Sequence, residues 1–375
     1  MGHMKFEHLY PYEHDLWQKN NIRLVNARVL TITTSAKSIE LDNGLQIRYD
    51  RLVIATGSLP NKVGWPGHDL EGVLGLYSKQ DLDYLEVCTT NCRHAVVVGG
   101  GLIGIEVAEM LRSRNIAVTM LVREASFWGN VLPASDGEMI NRHIREHKVN
   151  LRLSAQLKAI LPGNNQRAAA VETSSGEKID CDLVALTTGV SPNIAFLEGS
   201  GILLGKGVKV NRFLETNVPE VYAIGDCAEQ TEPQEGRKPI EAVWYTGKIM
   251  GETLARTLCG NKTAYAPGHW FNSAKFFDIE YQTYGRVAAK PGDGERHFYW
   301  KHGGGKKAIT IAYHPTTKIF QGINCYGIRM RHDYFNQVLE QQLSVNSVVS
   351  QLAQANFDPE FYSRHEREIR KAFEQ

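Results

Sequence analysis

Hydrophobic positions along this chain follow two rhythms, and the change from one to the other marks out the elements. Ala95 to Val98 form a short apolar run that reads as a buried strand. After a glycine turn, Ile103, Val107, Ala108 and Leu111 recur at helical spacing, and Ala117 to Val122 give a second strand, which completes a βαβ unit. Upstream, Arg23 to Thr33, Ser38 to Leu41 and Gln46 to Tyr49 alternate with period two around the turn Asp42-Asn43-Gly44. Tyr12 to Asn21 reads as a helix, and Asp50 to Pro60 as a buried strand entering a glycine turn.

Downstream the same reading gives a helix from Ser135 to His147 and a strand from Asn150 to Leu153. Gln166 to Thr173 and Glu177 to Leu186 form a hairpin joined by Ser174-Ser175-Gly176. A strand at Val221 to Ile224 and a helix from Ala242 to Leu258, closed by Gly260, follow. From Tyr265 aromatic residues cluster, and strands are expected at His297 to Lys301, Ala308 to His314 and Ile319 to Tyr326. The final helix is expected to start with Asp358 as N-cap and Pro359 at its first position. Met1-Gly2-His3-Met4 reads as an expression remnant.

Composition narrows the class. The 375 residues are enough for two or three domains, and 42% hydrophobic content supplies a core for each. A net charge of +1 argues against nucleic acid or a membrane surface as the main partner. No apolar run approaches the ~20 residues that span a bilayer, and no signal-peptide pattern opens the chain. The six cysteines are scattered, with Cys88 and Cys92 the nearest pair, so reduced thiols in the cytoplasm are expected.

The strongest chemistry lies at Gly99-Gly100-Gly101-Leu102-Ile103-Gly104, a G-x-G-x-x-G in strand–turn–helix context. Gly99 permits the tight turn, Gly101 lets the backbone approach a pyrophosphate, and Gly104 lets helix and strand pack closely. The helix N-terminus faces the negative charge. Two further turns echo one another: Ala55-Thr56-Gly57 with Asn61 four residues after its glycine, and Thr188-Gly189 with Asn193 four residues after its own. Flanking the nucleotide unit, they suggest that one domain is inserted into another. A third strand ends in Gly225-Asp226, and a carboxylate there lies where open α/β sheets bind ligands.

With these motifs in order, the chain resembles the pyridine nucleotide–disulfide oxidoreductase superfamily from about Asn21 onward. Within it the similarity is to ferredoxin-reductase, nitrite-reductase and NADH-oxidase types, and not to the thioredoxin-reductase branch with its C-x-x-C. The resemblance implies an α/β fold of two Rossmann-like domains of glutathione-reductase type plus a C-terminal α+β module. Residues 1–90 and 190–262 would form an FAD domain, 91–189 an NAD(P) domain inserted in it, and 263–375 a dimerisation module. It implies that Gly99 to Gly104 hold NAD(P)H and that Glu106 lies near the nicotinamide. Asp226 and Gly225 would meet the flavin's ribityl–phosphate region, Val29 the adenine, and Trp244 the isoalloxazine. No side chain is assigned as a catalytic acid or base, and electrons would pass to a small molecule or redox protein.

Two departures shape the expectation. Members of this family open with another strand–glycine loop–helix for the FAD pyrophosphate, which this sequence does not show. The chain is therefore expected to be the later part of a longer enzyme, with exposed apolar edges. The alternative is a nucleotide-binding or regulatory module that keeps the NAD(P) site without flavin chemistry. At the end of the second strand Val122 stands where NAD-preferring proteins carry an acid. The following Arg123 suits a 2′-phosphate and Glu124 opposes one, which leans toward NADPH.

Other signals are read more plainly. His143-Ile144-Arg145-Glu146-His147 matches H-x-x-E-H, but with no third ligand evident it reads as a solvated helix face, and no metal site is expected. His302-Gly303-Gly304-Gly305 reads as a hairpin turn. Cys227 reads as a small buried residue beside Asp226. The aromatics from Trp270 to Tyr284 read as core, or as a shield or dimer surface.

Overall fold

The computed structural model describes residues 5–10, 12–13, 15–358 and 360–375. Met1 to Met4, and Pro359, expected at the first position of the last helix, lie outside the described residues. The chain forms two compact units. The first holds the residues up to Ser58 with Ser191–Gln234 and Lys238–Ala266, and the second holds Leu59–Val190, Glu235–Arg237 and Pro267–Gln375.

The second unit is built on a five-stranded parallel sheet in the order Val73–Leu74, Leu183–Leu186, His94–Val98, Ala117–Val122 and Val149–Leu153. Ala95, Val96 and Val97 are fully buried because helices and a further sheet cover both faces of this central strand. Helix Leu102–Ser113 buries Gly104, Ile105, Val107, Ala108 and Leu111, so Ile105 takes the core position and Ile103 is half-buried. The expected hairpin splits in two. Ala168–Thr173 pairs with Lys178–Asp180, whereas Leu183–Leu186 turns away to enter the parallel sheet.

The C-terminal module of this unit is an antiparallel sheet in the order Phe271–Phe276, Ile279–Gly285, Phe320–Tyr326, Ala308–Tyr313 and Arg296–Lys301. Its core joins that of the nucleotide sheet through Phe276, Phe277, Tyr281 and Tyr326, so the aromatic run is packing. Asp136, in the first turn of helix Ala134–Glu146, is fully buried at this junction. It accepts hydrogen bonds from Thr310 Oγ1, Asn324 Nδ2 at 3.0 Å and Tyr326 Oη at 2.9 Å. Burial raises its pKa even against those three donors.

The first unit is assembled from smaller sheets. Val29–Thr33, Ser38–Leu41 and Gln46–Arg48 form an antiparallel meander, while Leu52–Ile54 pairs in parallel only with Val221–Ala223. Residues 23–28, expected as strand, are not strand, and Leu24 and Val25 are exposed. Only Ile54 of its three-residue strand is buried. Helix Trp244–Leu258 closes this core with Met250 and Leu254.

Two termini differ from expectation. The first helix shrinks to the single turn Leu16–Lys19. The last helix begins at Glu366 with His365 at its N-cap, not at Asp358. Residues 360–364 are exposed, and the helix is fixed instead by Ile369 entering the core.

Candidate functional site

The glycine turn follows the central strand of the parallel sheet. Gly99 has φ +127°, and a Cβ on it would lie 2.5 Å from the Thr187 carbonyl oxygen. A Cβ on Gly104 would lie 2.5 Å from the Gly99 carbonyl oxygen, so helix and strand touch here. At Gly100 a Cβ would strike Val122 Cγ1 at 2.6 Å. Gly101 is the exception: a Cβ there would meet nothing within 4 Å. Three glycines are therefore required by packing and one by the space left beside it.

That space lies at a helix N-terminus. Gly101 is the N-cap of Leu102–Ser113 and has no side chain to cap it, and the first turn carries no acid. The unsatisfied N–H groups of the first turn are thus available to an anion, with the helix dipole in support. Glu106 is exposed on the same helix, where surrounding protein and then Glu109 push its carboxyl pKa up.

The neighbouring strands end alongside. Leu186 pairs with Val98 and Val98 with Leu121, which sets Thr187-Thr188-Gly189 and Arg123-Glu124 at the carboxyl edge next to the glycine turn. Thr187 Oγ1 donates to the Val98 carbonyl at 2.9 Å. Arg123 is paired with Glu124 at 2.9 Å, so each moderates the other's charge. Sequence reading passed over Trp128, whose N–H donates to the Gly100 carbonyl at 2.8 Å and whose φ is +49°. No sequence signal marks it beyond an aromatic pair, Phe127-Trp128, shortly after the second strand.

In the first unit, Ala55-Thr56-Gly57 and Gly225-Asp226 follow two paired strands at adjacent carboxyl ends, with Ala223 opposite Ile54. Gly225 has φ +71°, and a Cβ there would meet nothing within 4 Å. Asp226 is half-buried beside it. Cys227 is fully buried, with Sγ 3.3 Å from the Ile224 carbonyl oxygen. Trp244 opens its helix with its ring 71% exposed and Lys248 5.5 Å from the ring centroid. Val29 belongs to the meander, a different sheet, where it packs against the core.

The two echoing turns serve the same structural purpose in each unit. Thr56 Oγ1 donates to the Asn193 carbonyl at 2.8 Å, and Asn193 N–H donates to the Gly57 carbonyl at 2.9 Å. In the other unit Thr188 Oγ1 donates to the Asn61 carbonyl at 3.1 Å, and Asn61 N–H to the Gly189 carbonyl at 3.0 Å. Each returning segment is anchored on the threonine–glycine turn of the unit it enters.

A parallel sheet with an open-sided glycine turn at its carboxyl edge defines a dinucleotide-binding α/β protein. The chain belongs to the pyridine nucleotide-disulphide oxidoreductase family, whose pattern matches residues 5–246. It is 32% identical over 249 residues to rhodocoxin reductase of Rhodococcus erythropolis, covering 66% of this chain and 58% of that one. It is 29% identical over 250 residues to the NAD(P)H nitrite reductase of Bacillus subtilis (strain 168), covering 66% of this chain and 30% of that one. The chain thus spans less than two thirds of the length of either relative.

Solved structures agree on the fold. The putidaredoxin reductase–putidaredoxin complex matches with a TM-score of 0.79 at 23% identity, over 91% of this chain and 82% of that one. Reduced CoADR-RHD of Bacillus anthracis matches with a TM-score of 0.81 at 22% identity, over 98% and 70%. No helix among the described residues is long and apolar enough to cross a membrane.

Proposed function

We propose that this chain acts as an FAD-dependent NAD(P)H oxidoreductase that passes hydride from nicotinamide to flavin and electrons on to a redox protein or small molecule. The observation that carries the reading is the contrast within one turn: Gly99 and Gly104 are closed by packing, while the Gly101 side is open at an uncapped helix N-terminus. The cofactors, when bound, supply the hydride chemistry. The chain's part is to seat the nicotinamide dinucleotide's pyrophosphate on the N–H groups after Gly101. In the first unit, Gly225 leaves open space beside Asp226, which suits a flavin's ribityl–phosphate region, and the exposed Trp244 ring suits a ligand face.

Relatives named for rhodocoxin and rubredoxin, and a solved complex with putidaredoxin, favour a small redox protein as acceptor. All six cysteines are free thiols, which suits a reducing compartment such as the cytoplasm. A homodimer formed through the C-terminal module belongs to the same reading. Arg123 favours NADPH, with Glu124 limiting the preference.

The test is a visible absorption spectrum of the purified chain before and after FAD, and then after anaerobic NADPH or NADH. A bound flavin band that bleaches on reduction is expected, more readily with NADPH. A colourless chain that binds only nicotinamide would overturn the oxidoreductase reading in favour of a nucleotide-binding module.

A further inference from the structure

The two histidines of H-x-x-E-H do not form a solvated face. His143 is 1% exposed, and Asp278, from the turn between strands Phe271–Phe276 and Ile279–Gly285, comes to meet both rings. Asp278 Oδ1 lies 2.8 Å from His143 Nε2 and 3.2 Å from His147 Nε2. The third ligand is thus supplied by a residue more than a hundred positions away.

Hydrogen placement makes this cluster unusual. His147 Nδ1 lies 3.0 Å from the His143 carbonyl oxygen, which can only accept, so Nδ1 carries the hydrogen. In the neutral ring Nε2 then presents a lone pair, and it faces a carboxylate oxygen. Two acceptors at that separation repel unless positive charge lies between them. Neither ring nitrogen of His143 makes a hydrogen bond among the described residues, Nδ1 having only Glu146 Oε2 at 3.6 Å. A buried imidazole without a partner is costly.

We propose that His143 Nε2, His147 Nε2 and Asp278 Oδ1 bind a divalent transition cation of the zinc class, clasping helix Ala134–Glu146 to the C-terminal sheet. The three donor atoms lie within 4.8 Å of one another. A tetrahedral ion about 2.0–2.1 Å from each donor needs donor separations of roughly 3.3 Å, and the two histidine–carboxylate separations are 2.8 and 3.2 Å. Two imidazoles with one carboxylate select zinc-like ions over magnesium or calcium. The carbonyl behind His147 fixes its tautomer as a ligand's outer partner does. Lys306 Nζ, 2.6 Å from Asp278 Oδ2, engages the other carboxylate oxygen and leaves Oδ1 to the ion. The other histidine cluster, His302, His365 and Glu368, differs in that Lys307 Nζ already lies 2.9 Å from His365 Nε2.

The test uses the full chain without an affinity histidine tag, stripped with chelator, and requires neither flavin nor nicotinamide. Calorimetric titration with Zn²⁺ is expected to give one site per chain. Co²⁺ is expected to add visible ligand-field bands, seen as a difference spectrum, that zinc abolishes. Asp278→Asn and His147→Gln should lose both signals while keeping a cooperative melt in chelator, and Lys306→Gln should retain them. Zinc should raise the melting midpoint of the native chain and of Lys306→Gln, and leave those of Asp278→Asn and His147→Gln unmoved. Equal zinc binding by the native chain and both ligand variants would overturn the site. So would a native midpoint that follows pH and ignores zinc, because a proton would then be the only cation shared by these groups.

Discussion

The glycine at the end of a strand occurs in both units, and its surroundings differ sharply. Gly99 ends the central strand of a five-stranded sheet, and the Thr187 carbonyl stands where its Cβ would be. Gly225 follows a strand of a two-stranded sheet and has open space on its Cβ side. Both adopt positive φ, so both favour glycine. At Gly99, packing and backbone demand agree, and the turn is fixed by the fold around it. At Gly225 only the backbone makes a demand, and the space beside it is left for something else. One turn is a part of its core, and the other borders open space.

The largest effect should come from closing the crowded turn. Gly99→Val forces a branched side chain onto positive φ and against the Thr187 backbone. Backbone strain and overpacking together should cost on the order of 3–5 kcal/mol. Urea denaturation, followed by hydrogen exchange on His94–Val98, would show it. A midpoint equal to that of the unsubstituted chain would mean that the turn is not held by its neighbours.

Gly101→Ala separates binding from folding within the same turn. Its φ of −120° is ordinary for alanine and its Cβ meets no protein atom, so the melt should not move. The methyl group would occupy the side from which a pyrophosphate approaches. Affinity for NAD(P)H, read by nicotinamide fluorescence, should fall at least tenfold, about 1.4 kcal/mol. Unchanged affinity would move the pyrophosphate elsewhere.

Much of this was legible in the sequence, for a reason visible in the second unit. His94–Val98, Leu102–Ser113 and Ala117–Val122 satisfy local periodicity and global packing at once, so pattern and structure agree. The strands of the first unit misled because an apolar run promises burial on both faces, and among the described residues Leu52–Ile54 pairs with one strand. Residues 23–28 read as alternating like a strand, yet alternation supplies no partner. Asp358 looked like an N-cap, but the final helix is placed by Ile369 reaching the core. At the histidine motif the local pattern was seen and Asp278 was not. Its approach depends on how two layers pack, which no spacing within one helix records.

Acid should narrow the difference between the units. Burial alone would raise the pKa of Glu295 in the C-terminal sheet, but His297 Nε2 at 2.6 Å and the Ala288 N–H at 2.7 Å outweigh it and hold the carboxyl below its ordinary value. A depressed carboxyl stabilises the fold above its unfolded pKa, 4.5, and this contribution is lost as pH falls through the folded value. Glu295→Gln should therefore cost about 1–2 kcal/mol at neutral pH and progressively less below pH ~4.5. A cost that is flat with pH would assign the loss to packing.

The smallest change tests the open rim. Gly225→Ala meets no atom, so only the positive φ opposes it, and the cost should be about 1 kcal/mol, well below that at Gly99. Because Gly225 N–H contacts Met250 Sδ at 3.3 Å, any strain should pass first to helix Trp244–Leu258. Hydrogen exchange should speed up there and leave His94–Val98 unchanged, since that strand belongs to the other unit. The methyl group would also enter the space proposed for flavin, so FAD retention should fall further than stability does. If Gly225→Ala destabilised the chain as much as Gly99→Val, the two turns would be equivalent, and the open space beside Gly225 would carry no meaning for binding.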